Sequence, residues 1–239
     1  MRQDCRSSWN KKIGGMDIKP DMVKKYAPHI YFDEKEPFYP VYTGYTVFDK
    51  TSDSPSFGRR INICKPDIQY AIEYAIYWDF DITHLYEMEH VWVYVDRNGA
   101  VADCEASFHG RYLKGLKRDR SNIEDGTHVR LFSQPGKHAF SPDEELFWLI
   151  PDMESCTQEG AGSDGLIVTD LYRNRYETSE EINKMVEKYM QRFRFKPSMK
   201  FVRYELESSK FMSWGELDIK IPELVRLKLE EIKKSITMG

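Results

Sequence analysis

Between Tyr74 and Asp96 the chain reads YAIYWDFDITHLYEMEHVWVYVD. Within that run lie Asp79, Asp81, His84, Glu87, Glu89 and His90, six side chains able to hold a cation or move a proton. Tyr, Trp, Ile and Val flank them, so the carboxylates and imidazoles are drawn into partly buried surroundings. Buried charges need partners, and a divalent ion is a usual partner for several carboxylates grouped with an imidazole. The chemistry expected is a metal site at the edge of a β-sheet.

The elements that must position these groups are legible in the same run. Val91, Val93 and Val95 alternate with Trp92 and Tyr94, which is strand composition with a period of two. Extended backwards, that strand carries Glu87, Glu89 and Val91 on one face and Met88, His90 and Trp92 on the other. Carboxylates two residues apart on one face sit roughly 7 Å apart at their Cα atoms, close enough to converge on one ion. The preceding segment, Ile68–Trp78, alternates in the same way. Asp79, Asp81 and His84 are then expected in the connection between two strands, where functional side chains commonly sit. A helix over 84–88 would place His84, Glu87 and Met88 on one face. The β-branched and aromatic run that follows favours the strand.

The chain has six histidines, His29, His84, His90, His109, His128 and His138, with none after position 138. His109 ends the strand-like run Ala100–Phe108 and precedes Gly110. His138 follows the strand-like Val129–Ser133 and lies just after Gly136. Glycine permits tight turns, so both imidazoles can reach the rim that holds the acidic connection. Either histidine alone reads as a hydrogen-bonded structural residue; taken with Asp81, Glu87 and Glu89, the group reads as a site.

These residues carry a resemblance. HLYEMEHV, residues 84–91, resembles the H-x-x-D-W-E-H-V pattern of the Vps62-related family. The later SFHG and GKHAFSP segments are similar to the S-x-HG and G-x-HA elements that follow in that family. A more distant resemblance is to the necrosis-inducing NPP1/NEP1-like proteins. Their G-H-R-H-D-W-E heptapeptide spaces a His, an acid and a Glu as His84, Glu87 and Glu89 are spaced, and their upstream Asp matches Asp81. The likeness spans roughly residues 26–142. It implies a β-sandwich holding Mg²⁺ or Ca²⁺ through acidic residues, with histidines around the ion partly through water. It further implies Asp81 and Glu87 as direct ligands, with His84, Glu89 and His138 completing the site and His109 nearby. The chain departs from the pattern where Glu87 replaces Asp, Met88 replaces Trp, and Ile82-Thr83 stands in place of the GHRH opening. These departures argue against carrying over membrane-damaging activity.

Composition narrows the classes. The 239 residues carry a net charge of −4 and 14% aromatic side chains. No basic face is indicated, so nucleic acid is not an expected partner. The short basic run Lys114–Arg120 reads as a solvated loop. Tyr and Trp suit sheet surfaces, and also surfaces that meet sugars or lipid head groups. No run approaches the ~20 apolar residues of a transmembrane helix. The N-terminus lacks the apolar stretch of a secretory signal, which makes a cytoplasmic location the expectation without excluding secretion. Cys5, Cys64, Cys104 and Cys156 are widely spaced, so free thiols are expected.

Three stretches are expected. Residues 1–25 read as a tail and a short helix with Pro20 at its first position. Residues 26–150 form a strand-rich core, with Asn98-Gly99 as a strong hairpin turn. Residues 151–239 add a polar loop at 151–165, a helix opened by a Thr178-Ser179-Glu180-Glu181 capping box and running to about Phe193, and a last helix opened by Pro222, all on the same domain. No repeat, phosphate loop or dinucleotide fingerprint is present.

The fold expected is mainly β, an antiparallel β-sandwich with peripheral helices. The ligand assignments are Asp81, His84, Glu87 and Glu89, with Asp79, His90 and Lys137 contacting substrate. The ion is Mg or Ca if carboxylates alone bind, and Zn or Mn if His ligates directly. The first functional expectation is a metal-dependent hydrolase of a phosphoester or glycan, with His109 or His138 as acid/base and Lys137 stabilising negative charge. The alternative is a non-catalytic, metal-dependent binding protein for a sugar or lipid head group.

Overall fold

The structure is a computed structural model and describes residues 12–13, 16–17, 20–64 and 67–237. Most of the N-terminal tail, including Cys5, lies outside the described residues. The first helix runs Pro20–Lys25 and begins at the expected proline.

Two sheets make the body of the protein. The larger has seven strands. Arg111–Lys114, Val101–Phe108, His84–Asp96, Ile68–Phe80 and Tyr42–Phe48 follow one another across it as antiparallel neighbours. Phe211–Ser213 adds to the Tyr42 edge, and Gly165–Leu166 pairs with the start of His84–Asp96. The smaller sheet, of five strands, has Ile123–Glu124, His128–Ser133, His29–Asp33 and Phe201–Glu205 in order. The main apolar cluster draws Ile30, Phe32, Val129 and Leu131 from the smaller sheet and Ile72, Tyr74, Ile76, Val91 and Val93 from the larger.

The fold is therefore mainly β and sandwich-like, with a long C-terminal helix. Most neighbouring strands are antiparallel, as expected, and the sheets as a whole are mixed. Three pairs are parallel: His128–Ser133 with His29–Asp33, Gly165–Leu166 with His84–Asp96, and Phe211–Ser213 with Tyr42–Phe48. In each pair the two strands are far apart in sequence, and long connections are what parallel pairing requires.

The period-two pattern of His84–Asp96 has a direct structural result. Val91, Val93 and Val95 enter the main cluster, while Trp92 and Tyr94 enter a second one with Phe48, Ile61 and Ile68. A strand buried on both faces is fixed in register, because a slip of one residue would exchange its two faces. The Asn98-Gly99 hairpin forms as expected, with Gly99 at φ 78° and Asp96 Oδ1 accepting from the backbone of Asn98 and Ala100, each at 2.8 Å.

Two helix boundaries differ from expectation. The first helix after the polar loop runs Glu180–Met190, with Ser179 as N-cap accepting from the Ile182 amide. Its third position is Ile182, so the expected box with Glu181 does not form. The last helix runs Trp214–Thr237 with Pro222 inside it. Its opening signal is Ser213-Trp-Gly-Glu216: Ser213 Oγ accepts from Glu216 N at 3.3 Å and Ser213 N donates to Glu216 Oε2 at 2.9 Å. Pro222 is tolerated because the carbonyl it leaves without an intrahelical donor, that of Asp218, accepts from Arg175 at 2.7 Å. Among the described residues no helix is long and apolar enough to cross a membrane. Cys64, Cys104 and Cys156 are free thiols.

Candidate metal centre

Only three residues, Asp81-Ile82-Thr83, join the Ile68–Phe80 and His84–Asp96 strands. Asp81 alone of the expected acids lies in that turn; Asp79 and His84 belong to the strands. The turn is closed by Asp81 itself, whose Oδ1 accepts from Thr83 N at 2.6 Å, Thr83 Oγ1 at 3.0 Å and His84 N at 3.0 Å. A carboxylate accepting this many hydrogen bonds is fixed in place and favoured in its charged form.

Its other oxygen, Oδ2, faces His84 Nε2 at 3.1 Å and touches Lys137 Nζ. It is buried. His84 Nε2 also lies 3.5 Å from Glu87 Oε2. Asp81, His84 and Glu87 thus each present a donor atom, all within 4.8 Å of one another. The far side of the imidazole fixes its tautomer. His84 Nδ1 lies 2.9 Å from the Tyr86 carbonyl, which only accepts, so Nδ1 carries hydrogen and Nε2 is turned toward the two carboxylates. Tyr86 sits at φ 76° near the start of the strand, where its carbonyl meets the imidazole. An imidazole anchored through a backbone carbonyl is the usual support for a ligating histidine. The donor set fits a divalent ion.

Charge at the triad is strongly coupled. Burial opposes ionisation of Asp81, but His84 and then Lys137 outweigh it and hold the carboxyl well below the usual range. Burial likewise opposes protonation of His84, and Asp81 and Glu87 reverse that and raise it. Glu87 is pushed up by burial.

The remaining expected residues divide. Glu89 lies outside the triad: it is buried and accepts a short hydrogen bond from Ser107 Oγ. Burial, then repulsion from Glu87, raises its carboxyl well above the usual range. Asp79 is drawn to the opposite side of the strand pair, where it meets Lys228 of the last helix at 3.1 Å and Tyr77 OH at 3.2 Å. That placement corrects its expected contact with substrate.

His138 is fully buried, stacked on Trp78 with ring centroids 4.6 Å apart, and its Nε2 is 3.3 Å from Glu36 Oε1. A solvent-facing acid/base role for His138 is corrected by this burial. His109 is exposed and holds Gln134 Oε1 at 2.6 Å through Nε2. Glu36 is a site residue that sequence reasoning missed. Its Oε2 accepts from Gly136 N at 2.7 Å, and Gly136 O accepts from Ile82 N at 2.7 Å, so one buried acid ties the Gly136-Lys137-His138 turn to the acidic turn. Nothing in Asp33-Glu34-Lys35-Glu36 marks the last acid as buried; the run reads as a surface turn.

A cleft of about 460 Å³ opens on the side of Thr83 and Lys137, lined also by His109, Gln134, Asp152 and Asp164 among others, and none of the three triad residues lines it. The 151–165 segment forms its far wall and is pinned to the acidic turn through Gly162 N to Ile82 O and Asp164 N to Thr83 O, each 2.9 Å. A second cleft of about 350 Å³ reaches His84 and Glu87 from the side of Ser56, Tyr86 and Met88.

His90 is not part of the triad, though it lines the second cleft with His84 and Glu87. Its Nε2 lies 3.0 Å from Ser56 Oγ, which donates to Glu73 Oε1 at 2.7 Å. Burial, helped by the charge of Arg59, pushes His90 down to about 3. The folded state therefore binds fewer protons than the unfolded chain, where the ordinary value is 6.5. This contribution to stability is complete above pH 6.5 and is lost as pH falls toward 3. The loss amounts to at most about 1.4 kcal/mol per pH unit. Urea unfolding at pH 7, 6 and 5 is expected to show a steeper decline in wild type than in His90→Gln. Equal slopes would contradict the assignment.

No family model matches the chain, and no curated protein matches it. The Vps62-related likeness therefore rests on its motifs. Among solved structures the chain is similar to NLPPya in complex with glucosamine, at 18% identity and TM-score 0.35, over 52% of this chain and 66% of that one. It is similar to NLPPya in complex with mannosamine at 17% identity and TM-score 0.35, over 56% and 71% of the two chains. A third, described as a toxin fold for microbial attack and plant defense, matches at 16% identity and TM-score 0.34, over 55% and 70%. The match thus spans just under two thirds of the first of these structures.

Proposed function

We propose that this protein is a metal-dependent binding module for a small hydroxylated ligand, a sugar or a polar head group, and that Asp81, His84 and Glu87 hold its divalent ion. The observation that carries this reading is the convergence of three donor atoms within 4.8 Å, two of them on His84 and Glu87, which line the cleft of about 350 Å³. The ion would supply a positive centre able to take ligand hydroxyl or anionic oxygens. An imidazole in the ligand set favours Zn²⁺ or Mn²⁺ over Mg²⁺ or Ca²⁺. The larger cleft, on the Thr83 and Lys137 side of the same turn, adds hydrogen-bonding groups suited to hydroxyls from Thr83, Gln134, Asp152 and Asp164.

Binding is favoured over hydrolysis by what the acid/base candidates are doing. His138 is enclosed between Trp78 and Glu36, and Lys137 is engaged by Asp81 and Thr83. His109 meets an amide, not a carboxylate that would hold it as a base. Calorimetry with hexosamines and neutral hexoses, with Mn²⁺ and then with excess chelator, tests the reading. Binding that is lost on chelation is the expected result. Turnover of phosphoester or glycoside substrates that is abolished in His109→Ala would replace this reading with the hydrolase.

A further inference from the structure

We propose that Lys137 is a built-in cation that competes with the divalent ion for the Asp81 carboxylate and swings into the cleft when the ion enters. This inference rests on the metal reading above and adds to it a switch made by one side chain.

The argument starts from a shared atom. Lys137 Nζ touches Asp81 Oδ2, and that oxygen also faces His84 Nε2 at 3.1 Å. An ion held by Asp81, His84 and Glu87 needs the same oxygen at roughly 2.0–2.4 Å. Two cations cannot both sit in contact with one carboxylate oxygen without strong mutual repulsion, least of all in buried surroundings. Asp81 is fully buried and Lys137 is only 17% exposed at its side chain, so water screens little of that repulsion.

The backbone cannot relieve it. The Lys137 turn is fastened on both flanks, by Glu36 to Gly136 N, by Gly136 O to Ile82 N, and by His138 stacked on Trp78. The long side chain is the free part, and it has somewhere to go. Lys137 lines the 460 Å³ cleft together with Asp152, Glu159 and Asp164, three carboxylates with no role at the triad. After Asp81 and Glu87, the charge of Asp164 also favours the ammonium. Ion entry therefore exchanges one acceptor of Lys137 for another and moves a positive charge to the wall that meets the ligand. Without the ion, the same lysine neutralises Asp81 and lets the empty site fold.

Calorimetric titration with Mn²⁺ alone, on wild type, Lys137→Met, Lys137→Gln and Lys137→Arg, tests this. The neutral variants should bind Mn²⁺ at least tenfold more tightly than wild type, and Lys137→Arg no more tightly than wild type. Lys137→Gln keeps a polar group for Asp81 and Thr83 should the Met variant fail to fold. Reductive methylation read by mass spectrometry gives a second measure: Lys137 should be modified faster with Mn²⁺ present. Mn²⁺ binding of unchanged or weaker affinity in both neutral variants overturns the competition alone. Absence of Mn²⁺ binding in every protein overturns the competition and the metal reading together.

Discussion

Asp81→Ala should destabilise the protein by about 3–5 kcal/mol, the range for removing one partner of a buried charge pair. For a chain of this size that corresponds to a fall in Tm of roughly 10 °C. The residue is fully buried and acts on both sides of its carboxylate. One oxygen closes the turn on Thr83 and His84; the other faces Lys137 and His84. Alanine removes all of this and leaves Lys137 with Thr83 Oγ1 at 2.7 Å but without its carboxylate contact. Asp81→Asn should fall between the two, because the amide oxygen can still close the turn while the charge is gone. Thermal unfolding in excess chelator makes the comparison. An Asp81→Ala protein within a degree or two of wild type would show that the turn does not depend on this acid.

Gly162→Ala is expected to have the second largest effect, about 2–5 kcal/mol, from left-handed backbone strain together with overpacking. Gly162 has φ 78°, and a Cβ there would lie 2.6 Å from Glu187 Cα and 2.9 Å from Glu187 O. Those are backbone atoms of the Glu180–Met190 helix, which cannot yield as a side-chain tip would. Relieving the clash pulls Gly162 N from Ile82 O and loosens Asp164 N from Thr83 O, the two bonds that pin the cleft wall to the acidic turn. Hydrogen exchange at both amides should accelerate. Gly126→Ala is the control: φ is 82° there, but nothing lies within 4 Å of the added Cβ, so strain acts without the clash. Equal losses in the two variants would remove the clash from the account.

How much of this was legible in the sequence follows from distance along the chain. Asp81, His84 and Glu87 lie within seven residues around one tight turn, so their spacing alone brings them together. The valines and aromatics of His84–Asp96 declare a two-faced strand, and Asn98-Gly99 declares its hairpin. What the local pattern does not show are partners far away in sequence. Asp79 belongs to Lys228, Glu89 to Ser107, His90 to Ser56, and His138 to Glu36. Each pairing is set by how strands stack in space, and no local pattern encodes it. The two parallel additions to the larger sheet escape for the same reason, since Gly165–Leu166 and Phe211–Ser213 are too short to show a period. The Ser213-to-Glu216 cap was visible locally, but Pro222 is the stronger-looking start signal. Only the far partner Arg175 makes that proline acceptable inside the helix.

The central claim is that the acidic turn is an ion site, and metal content measures it most directly. Elemental analysis after Mn²⁺ or Zn²⁺ loading and dialysis should return about one ion per chain for wild type, and a small fraction of that for His84→Ala and Glu87→Gln, both still folded by circular dichroism. Wild type that retains no ion would contradict the claim, as would folded variants that retain as much ion as wild type.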